Sequence, residues 1–339
     1  MANLDRVAPQ QSARRFDIPK LLRSTQTYSV LGVLIILIIY NLVSTPRFLT
    51  LDGLTEAINV NLIQVAPTAI VATGMTLVIA TGGIDLSVGS LMAIAGAIAP
   101  IIFLSSIPPL NNPVIGVGLG IIIPIVVVGL LGLFNGVLVT TFRIQPIIAT
   151  LILFTAGRGI AQVISNGNIQ VFRGSNFVFL GSGRILNIPV QVIVMLIIVA
   201  IVTWLVRTTT FGRYLLATGG NEAASRLAGI PVNRVKRTVY VISGVLAGIA
   251  GLIIVAINSS SDANNVGLNG ELDAIAAVAV GGTPFSGGQA SVLGTLLGAL
   301  LIQMIRFTLV TKNVPFPVAQ IINAAIILLA VYLQRERKS

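Results

Sequence analysis

The chain of 339 residues is 55% hydrophobic and only 9% charged, with a formal net charge of +11 and a mean hydropathy of +0.97. Because soluble domains carry about a quarter charged residues, this composition indicates an integral membrane protein. The chain has neither cysteine nor histidine, which excludes disulfides, thiolate chemistry, and histidine as a base or metal ligand. It also lacks a GxxxxGK[ST] phosphate loop, so we expect it not to hydrolyse ATP itself.

Residues 1–27 are polar and basic, and they predict a cytoplasmic tail. A signal peptide is the alternative, but no A-x-A-like cleavage site follows the first apolar run. A bilayer crossing needs about 20 largely apolar residues. On that rule the chain is an all-α integral membrane protein with one transmembrane domain over 28–334 and a cytoplasmic tail at 335–339. The ten predicted spans are 28–45, 57–80, 84–104, 114–141, 146–165, 188–206, 238–258, 269–282, 289–310 and 315–333.

The segment 269–282 is the least certain crossing, because it is short and contains two acids. A loop that dips into the bilayer and returns is the alternative. Since Lys and Arg accumulate in cytoplasmic loops, both 207–237 and the basic carboxyl terminus face the cytoplasm only if this segment crosses. The parity of the spans therefore favours a crossing, with both termini in the cytoplasm.

The interval 207–237 is the longest polar stretch after the amino terminus, and it carries six Lys and Arg residues against one acid, Glu222. We expect it to be cytoplasmic. Asn221 can cap a helix that begins at Glu222, and Gly229 followed by Pro231 ends it. A short, exposed helix on a membrane scaffold is suited to docking a partner, and a solvated connecting loop is the alternative.

The chain contains a short internal repeat. GGIDLSVG at 82–89 and GGTPFSGG at 281–288 share the pattern G-G-x-x-x-S-x-G at the predicted cytoplasmic ends of two apolar runs. Glycine-rich breaks in both halves of a membrane protein indicate discontinuous helices around a transport path. Four matches among eight residues can also arise by chance in a chain with 34 glycines.

Ionisable groups inside a membrane are costly, so they are either paired or functional. Asp85, with Ser87 two residues later, could bind a substrate hydroxyl or a proton, but a helix cap is the favoured interpretation. In the second half, the polar loop 259–271 holds carboxylates and amides, the groups that bind sugar hydroxyls. An ordinary polar outer loop is the alternative. The candidates for the substrate path are Asp85, Ser87, Arg158, Gln162, Asp262, Asn264, Asn265, Glu271 and Asp273.

Three stretches together resemble a known family. GMTLVIATGGIDLSVGSLMAIAG at 74–96, ATGGNEAASRLAGIPV at 217–232 and ELDAIAAVAVGGTPFSGG at 271–288 closely resemble the permease subunits of bacterial ABC importers for monosaccharides, of the ribose-permease type. The stretches 144–162 and 262–268 are most similar to galactofuranose-type members. The resemblance covers about residues 28–333, with the motifs in the order and spacing of the family.

The resemblance implies a ten-helix permease of the inner membrane that dimerises with itself or with a related permease. It also implies cytoplasmic ATP-binding subunits, which carry the ATP and Mg²⁺, and a periplasmic sugar-binding protein. The chain itself would then bind no cofactor, metal or nucleic acid, and would not be an enzyme. The helix in 207–237 would be the coupling helix that fits a groove on the ATPase, with Glu222-Ala223-Ala224 and Gly229 similar to an importer signature whose spacing is one residue shorter. The residues assigned to coupling are Gly219, Gly220, Asn221, Glu222, Ala223, Ala224, Arg226, Gly229 and Ile230.

The main alternative from another class is a secondary transporter driven by an ion gradient. It would need a titratable relay within the membrane, and beyond Asp85 and the pair Glu271 and Asp273 the spans offer few such groups. The sequence does not distinguish which sugar is carried.

Overall fold

The computed structural model describes residues 25–325, apart from 173, 316, 320 and 323. The predicted carboxyl-terminal tail, residues 1–24 of the amino-terminal tail and most of the tenth predicted span lie outside the described residues.

The described chain is mostly helical. Its α-helices are α1 (Thr25–Ser44), α2 (Leu51–Ala80), α3 (Val88–Phe103), α4 (Pro113–Thr140), α5 (Pro146–Ile164), α6 (Phe179–Ser182), α7 (Val190–Thr208), α8 (Thr210–Gly220), α9 (Glu222–Leu227), α10 (Val232–Asn258), α11 (Gly270–Val280) and α12 (Val292–Thr311). Two 3₁₀ turns, Pro46–Leu49 and Asn176–Val178, and four two-residue strands, β1 (Gln170–Val171), β2 (Arg184–Ile185), β3 (Ile188–Pro189) and β4 (Ser260–Ser261), complete the described elements.

Six helices within the described residues are long and apolar enough to cross a membrane, namely α2, α4, α5, α7, α10 and α12. Of the other predicted spans, α1 contains the apolar stretch Val30–Ser44 and α3 is a shorter apolar helix, and α11 has only 11 residues. At about 1.5 Å per residue, a helix as short as α11 does not cover the roughly 30 Å hydrocarbon core by itself. The number of ten crossings therefore stays a prediction.

The polar interval 207–237 is far more helical than the sequence analysis expected. Besides α9, it contains the whole of α8, and α10 begins at Val232 rather than at the predicted 238. The cause is amphipathic packing, because Leu215 on α8 and Val235 on α10 are buried while the basic residues between them face outward.

The centre of the bundle is formed by α2 and α10, which are the most buried of the six long helices. Small residues allow α10 to lie directly against its neighbours. A Cβ atom on Gly132 of α4 would collide with the carbonyl oxygen of Tyr240, and one on Gly251 of α10 would collide with that of Met92. Helix backbones are therefore in contact at these crossings.

Two short antiparallel ribbons lie in the loops that the sequence places outside the membrane. β1 pairs with β4, with Gln170 opposite Ser261, and β2 pairs with β3, with Arg184 opposite Pro189. The first ribbon joins the loop after α5 to the loop after α10. It thereby fixes the polar segment 260–269 above the bundle.

Candidate functional site

The helix α9 forms as the local sequence predicts. The side chain of Asn221 caps it, accepting a hydrogen bond from the Ala224 N–H at 2.9 Å. Gly229 ends the helical segment with φ +77, a conformation that glycine adopts without steric cost. The two flanking signals therefore limit this helix to fewer than two turns.

Charged side chains attach α9 to the first turns of α10. The Glu222 carboxylate accepts from Arg226 at 2.7 Å and from Lys236 at 2.5 Å, and Arg226 also donates to Asn233 at 2.9 Å. Burial raises the pKa of the Glu222 carboxyl, but the hydrogen bonds and charges of Lys236 and Arg226 outweigh burial and lower its pKa below the ordinary 4.5. The carboxylate thus stays ionised and holds the helix in place.

The outward face of α9 is apolar and uncovered. Leu227 is 91% exposed, and Ala223, Ala224 and Ala228 beside it are exposed as well. A cavity of ≈ 530 Å³ opens next to the helix, between α9, the start of α10 and the turn from α4 to α5. A rigidly held helix with a bare apolar face beside a cavity is a surface suited to a protein partner.

The last residues of α8 lie against both glycine-rich turns of the sequence repeat. A Cβ atom on Gly219 would collide with the Ala80 carbonyl oxygen and lie 2.6 Å from the Gly288 nitrogen. The Gly288 N–H also donates to the Ala80 carbonyl at 2.9 Å. We call this meeting of 80–83, 219–220 and 287–288 the glycine junction. Sequence analysis missed Ala80, Gly287 and Gly288 as members, although the repeated glycine pairs were the signal.

The two turns have similar backbone geometry. The residues that correspond in the structure are, however, shifted by one position from those that the repeat pattern aligns. Gly82 (φ +78) and Gly282 (φ +85) occupy the same left-handed position after their helices. Gly83 N–H then bonds to Val78 O at 3.1 Å, as Thr283 N–H bonds to Val278 O at 3.2 Å. The G-G-x-x-x-S-x-G alignment instead places Gly82 opposite Gly281 and is wrong by one residue. What the turns share is a glycine in the left-handed conformation that terminates the preceding helix.

Asp85 and Ser87 lie in a buried polar network at the first turn. One Asp85 carboxylate oxygen accepts from the Ser87 N–H at 3.0 Å and the Ser87 hydroxyl at 2.6 Å, and the other accepts from the Ser243 hydroxyl at 2.9 Å. Asn135 donates to the Ser87 hydroxyl at 2.9 Å. Asp85 therefore satisfies the backbone N–H of Ser87, but the N-cap position of α3 is Ser87 itself and no side chain caps that helix. Through Ser87 and Ser243 the carboxylate also joins the turn to α4 and α10. Neither residue lines a described cavity.

A second cavity, of ≈ 300 Å³, lies within the bundle toward the predicted outer side. We call it the outer cavity. Its polar lining residues come from α2, α10, α11, α12 and the loop before α11, and they are Gln64, Thr68, Asn258, Asn265, Asp273, Gln303 and Arg306. Carboxylate, guanidinium and amide groups that converge on a cavity are suited to a polar, many-hydroxyl ligand.

Only Asn265 and Asp273 of the predicted path residues line the outer cavity. Sequence analysis missed Gln64, Gln303 and Arg306. Arg306 lies inside the predicted span 289–310, so a charge in an apolar run was the signal that could have found it. Gln64 and Gln303 carry no comparable signal.

A polar cluster lies beside the outer cavity. It contains Arg158 and Gln162 of α5 and the predicted path residues Asp262, Asn264 and Glu271. Arg158 donates to the Ala263 and Val266 carbonyls at 2.9 and 2.6 Å, and Gln162 donates to Asn264 at 2.6 Å. These contacts attach α5 to the loop before α11. The Asp262 carboxylate orders the same loop by accepting from the Asn264 N–H and the Asn265 side chain, and Glu271 is buried against Gly89.

Comparison with known proteins gives one family and a set of close relatives. The family described as branched-chain amino acid transport system / permease component matches residues 58–331. The galactofuranose transporter permease protein YtfT of Escherichia coli is 38% identical over 96% of this chain and 92% of its own length. The ribose import permease protein RbsC of Haemophilus influenzae is 39% identical over 89% and 91%, and the fructose import permease protein FruF of Bifidobacterium longum is 39% identical over 88% and 84%. No solved structure matches the chain.

Proposed function

Because the chain belongs to the permease family of sugar ABC importers, we propose that it is the membrane-spanning subunit that carries a monosaccharide across the bacterial inner membrane. ATP hydrolysis on a separate cytoplasmic subunit would drive this movement. The uncovered apolar face of α9 is the observation that carries the proposal, since it is a surface suited to a protein partner and the Glu222–Lys236 pair attaches the helix to α10.

The partners follow from this role. A second permease, either another copy or a related chain, completes the membrane unit, and a periplasmic binding protein delivers the sugar. ATP and Mg²⁺ belong to the ATPase. The residues that contact or position the ATPase are those of α9 and its flanks, 219–230, with Leu227 as the central apolar contact.

The glycine junction supplies a route from the ATPase to the bundle. Displacement of α9 moves the end of α8, which lies against Ala80 at the end of α2 and against Gly288. Because backbone atoms meet there without intervening side chains, α8 cannot move toward Ala80 and Gly288 without displacing the ends of both turns. Substrate on the binding protein favours one packing of the bundle and nucleotide the other, which is sufficient for coupling.

The substrate class rests on the outer cavity and on the relatives named for galactofuranose, ribose and fructose. A branched-chain amino acid is the second candidate, favoured by the family description. Its apolar side chain would need an apolar subsite, and the wall of this cavity includes Val71, Ile254 and Ile257 beside its amides and charged groups. The sugar is therefore favoured by the names of the relatives and not by the lining, and uptake of labelled pentoses and hexoses against labelled leucine decides between the two substrates.

The test compares two leucines that are almost equally exposed. Leu227 on α9 is 91% exposed, and Leu186, in the tight turn between β2 and β3 at the predicted outer side, is 92% exposed. In vesicles that hold this chain with its ATPase and binding protein, we expect Leu227→Asp to lower ATP-driven sugar uptake by about tenfold or more, the usual cost of a central apolar contact. Leu186→Asp is expected to leave uptake unchanged.

Equal uptake by the two variants would contradict docking through α9. A collapse of the proton gradient with a protonophore gives a separate control. If the protonophore abolishes uptake while ATP has no effect, the chain is a secondary transporter and the proposed function is wrong.

A further inference from the structure

The outer cavity contains one positive and one negative side chain among its described lining residues, and the two neutralise each other. One terminal nitrogen of Arg306 donates to both carboxylate oxygens of Asp273, at 3.0 and 2.8 Å. The pair joins α12 to α11. Its charges are already matched before any substrate arrives.

The polar groups of the wall keep unused hydrogen-bonding capacity. The remaining three N–H groups of Arg306 have no partner among the described residues, and the Asp273 carboxylate retains free lone pairs. Gln303 donates to Gln64 at 2.8 Å, which leaves the Gln64 amino group and the Gln303 carbonyl available within the described part of the chain. The cavity wall therefore offers both free donors and free acceptors.

The groups behind the wall add no excess of positive charge. Asp262 holds the cavity residue Asn265 at 2.6 Å, and the buried Glu271 precedes Asp273 by two residues. Arg158 faces this loop from α5. With Asp273 and Arg306, the neighbourhood holds the carboxylates of Asp262 and Asp273, the buried carboxyl group of Glu271 and two guanidinium groups, so an anion entering it gains no net attraction.

We propose that the Arg306–Asp273 pair makes the outer cavity selective for an uncharged sugar over a sugar acid of the same size. Neighbouring hydroxyls of a neutral sugar can donate to Asp273 and accept from Arg306 while the pair stays intact. A sugar carboxylate can accept from the same free N–H groups of Arg306, but it then lies beside the Asp273 carboxylate, and the two negative charges repel each other in this partly exposed cavity. The inference rests on the proposed function, because it assigns the sugar to this cavity.

The test uses two probes that differ in one group, galactose and galacturonate. The permease is purified in lipid nanodiscs, and binding of each probe is measured by saturation-transfer NMR at millimolar concentration. We expect the unmodified chain to favour galactose by about tenfold, the penalty for bringing a second carboxylate next to Asp273. Asp273→Asn keeps the shape of the side chain but frees the Arg306 charge, and is expected to shift the ratio toward galacturonate by about tenfold.

Two further variants keep the test decisive if Asp273→Asn does not fold. Arg306→Gln leaves a lone negative charge and is expected to weaken galacturonate binding more than galactose binding. The double variant Asp273→Asn with Arg306→Gln leaves no unpaired charge, and is expected to keep the preference for galactose. Asp52→Asn, the same chemical change on the exposed start of α2, is the matched control and should leave the ratio unchanged.

The inference is overturned if the unmodified chain binds both probes equally, or if Asp273→Asn leaves the ratio where it was. It is also overturned if the double variant gains galacturonate binding as Asp273→Asn does. ATP-driven sugar uptake by a complex whose permease binds neither probe would overturn the inference alone and leave the proposed function standing.

Discussion

The turn after α2 and the turn after α11 both begin with a glycine of positive φ that ends the helix. They differ in the hydrogen bonds that fix the rest of each turn. In the first, Asp85 is fully buried, and side-chain hydrogen bonds through Ser87 and Ser243 join it to α4 and α10. In the second, Ser286 is exposed and Gly287 and Gly288 are half-buried. The Thr283 hydroxyl accepts from the Ser291 N–H at 3.0 Å, and Gly288 donates to Ala80. The first turn is therefore anchored in the bundle, whereas the second is attached through backbone at the glycine junction. We expect the second turn to follow α9 when α9 moves.

The largest expected effect comes from filling the glycine junction. In Gly219→Ala the new Cβ collides with the Ala80 carbonyl, so α8 must shift; such overpacking costs about 1–3 kcal/mol. We expect a lower melting temperature in detergent and loss of ATP-driven uptake. The neighbouring Gly220→Ala is the matched control, because its Cβ would lie 4.0 Å from the nearest atom, the Gly288 Cα. Equal behaviour of the two variants would show that close backbone contact at the junction is unimportant.

The next effect compares the stability that side-chain hydrogen bonds give to the turn after α2 with the stability that they give to the turn after α11. Asp85→Ala leaves the buried hydroxyls of Ser87 and Ser243 without their shared acceptor, at a cost of about 2 kcal/mol. Thr283→Ala removes one acceptor in the second turn, and we expect about half that loss. Thermal unfolding of the purified variants measures both. A larger loss from Thr283→Ala would reverse the assignment of anchored and attached turns.

A smaller effect tests the shared helix-ending geometry by itself. At Gly82 a Cβ meets nothing within 4 Å, so Gly82→Ala is penalised only by φ +78, at about 1 kcal/mol. At Gly287 (φ +81) the Cβ would also lie 2.9 Å from the Gly219 carbonyl and 3.0 Å from the Gly82 nitrogen. We therefore expect Gly287→Ala to lower the melting temperature further than Gly82→Ala. Identical losses would mean that crowding at the junction adds nothing to the backbone strain.

The smallest effect is the pH dependence of α9. The pKa of Glu222 is lowered in the folded chain, so its ion pairs stabilise the helix above the unfolded-state pKa. That contribution is lost as the pH falls through the lowered folded-state pKa. Proteolysis of 207–237 in Glu222→Gln at pH 7 should match that of the unmodified chain in acid. A cleavage rate of the unmodified chain that stays constant through the acid range would contradict this.

Local rules were enough for α9, because the Asn221 cap, the Glu222 start and the Gly229 stop act within a few residues. They were not enough for α8, where Arg213 and the flanking basic residues concealed an amphipathic helix around Leu215. The outer cavity could be predicted only in part. Asp273 and Asn265 stood out in a polar loop, whereas Gln64 and Gln303 are isolated residues on helices far apart in the chain. Only tertiary packing brings them within 2.8 Å.

The hydrogen bond from the Gly288 amide to the Ala80 carbonyl makes the glycine junction observable without attaching a probe to the protein. An amide held this way exchanges its proton for deuterium only when the contact opens. Deuterium uptake by a peptide spanning 283–290, followed by mass spectrometry with and without a nucleotide analogue on the partner ATPase, therefore measures how often the attached turn separates from α2 in each state of the transport cycle.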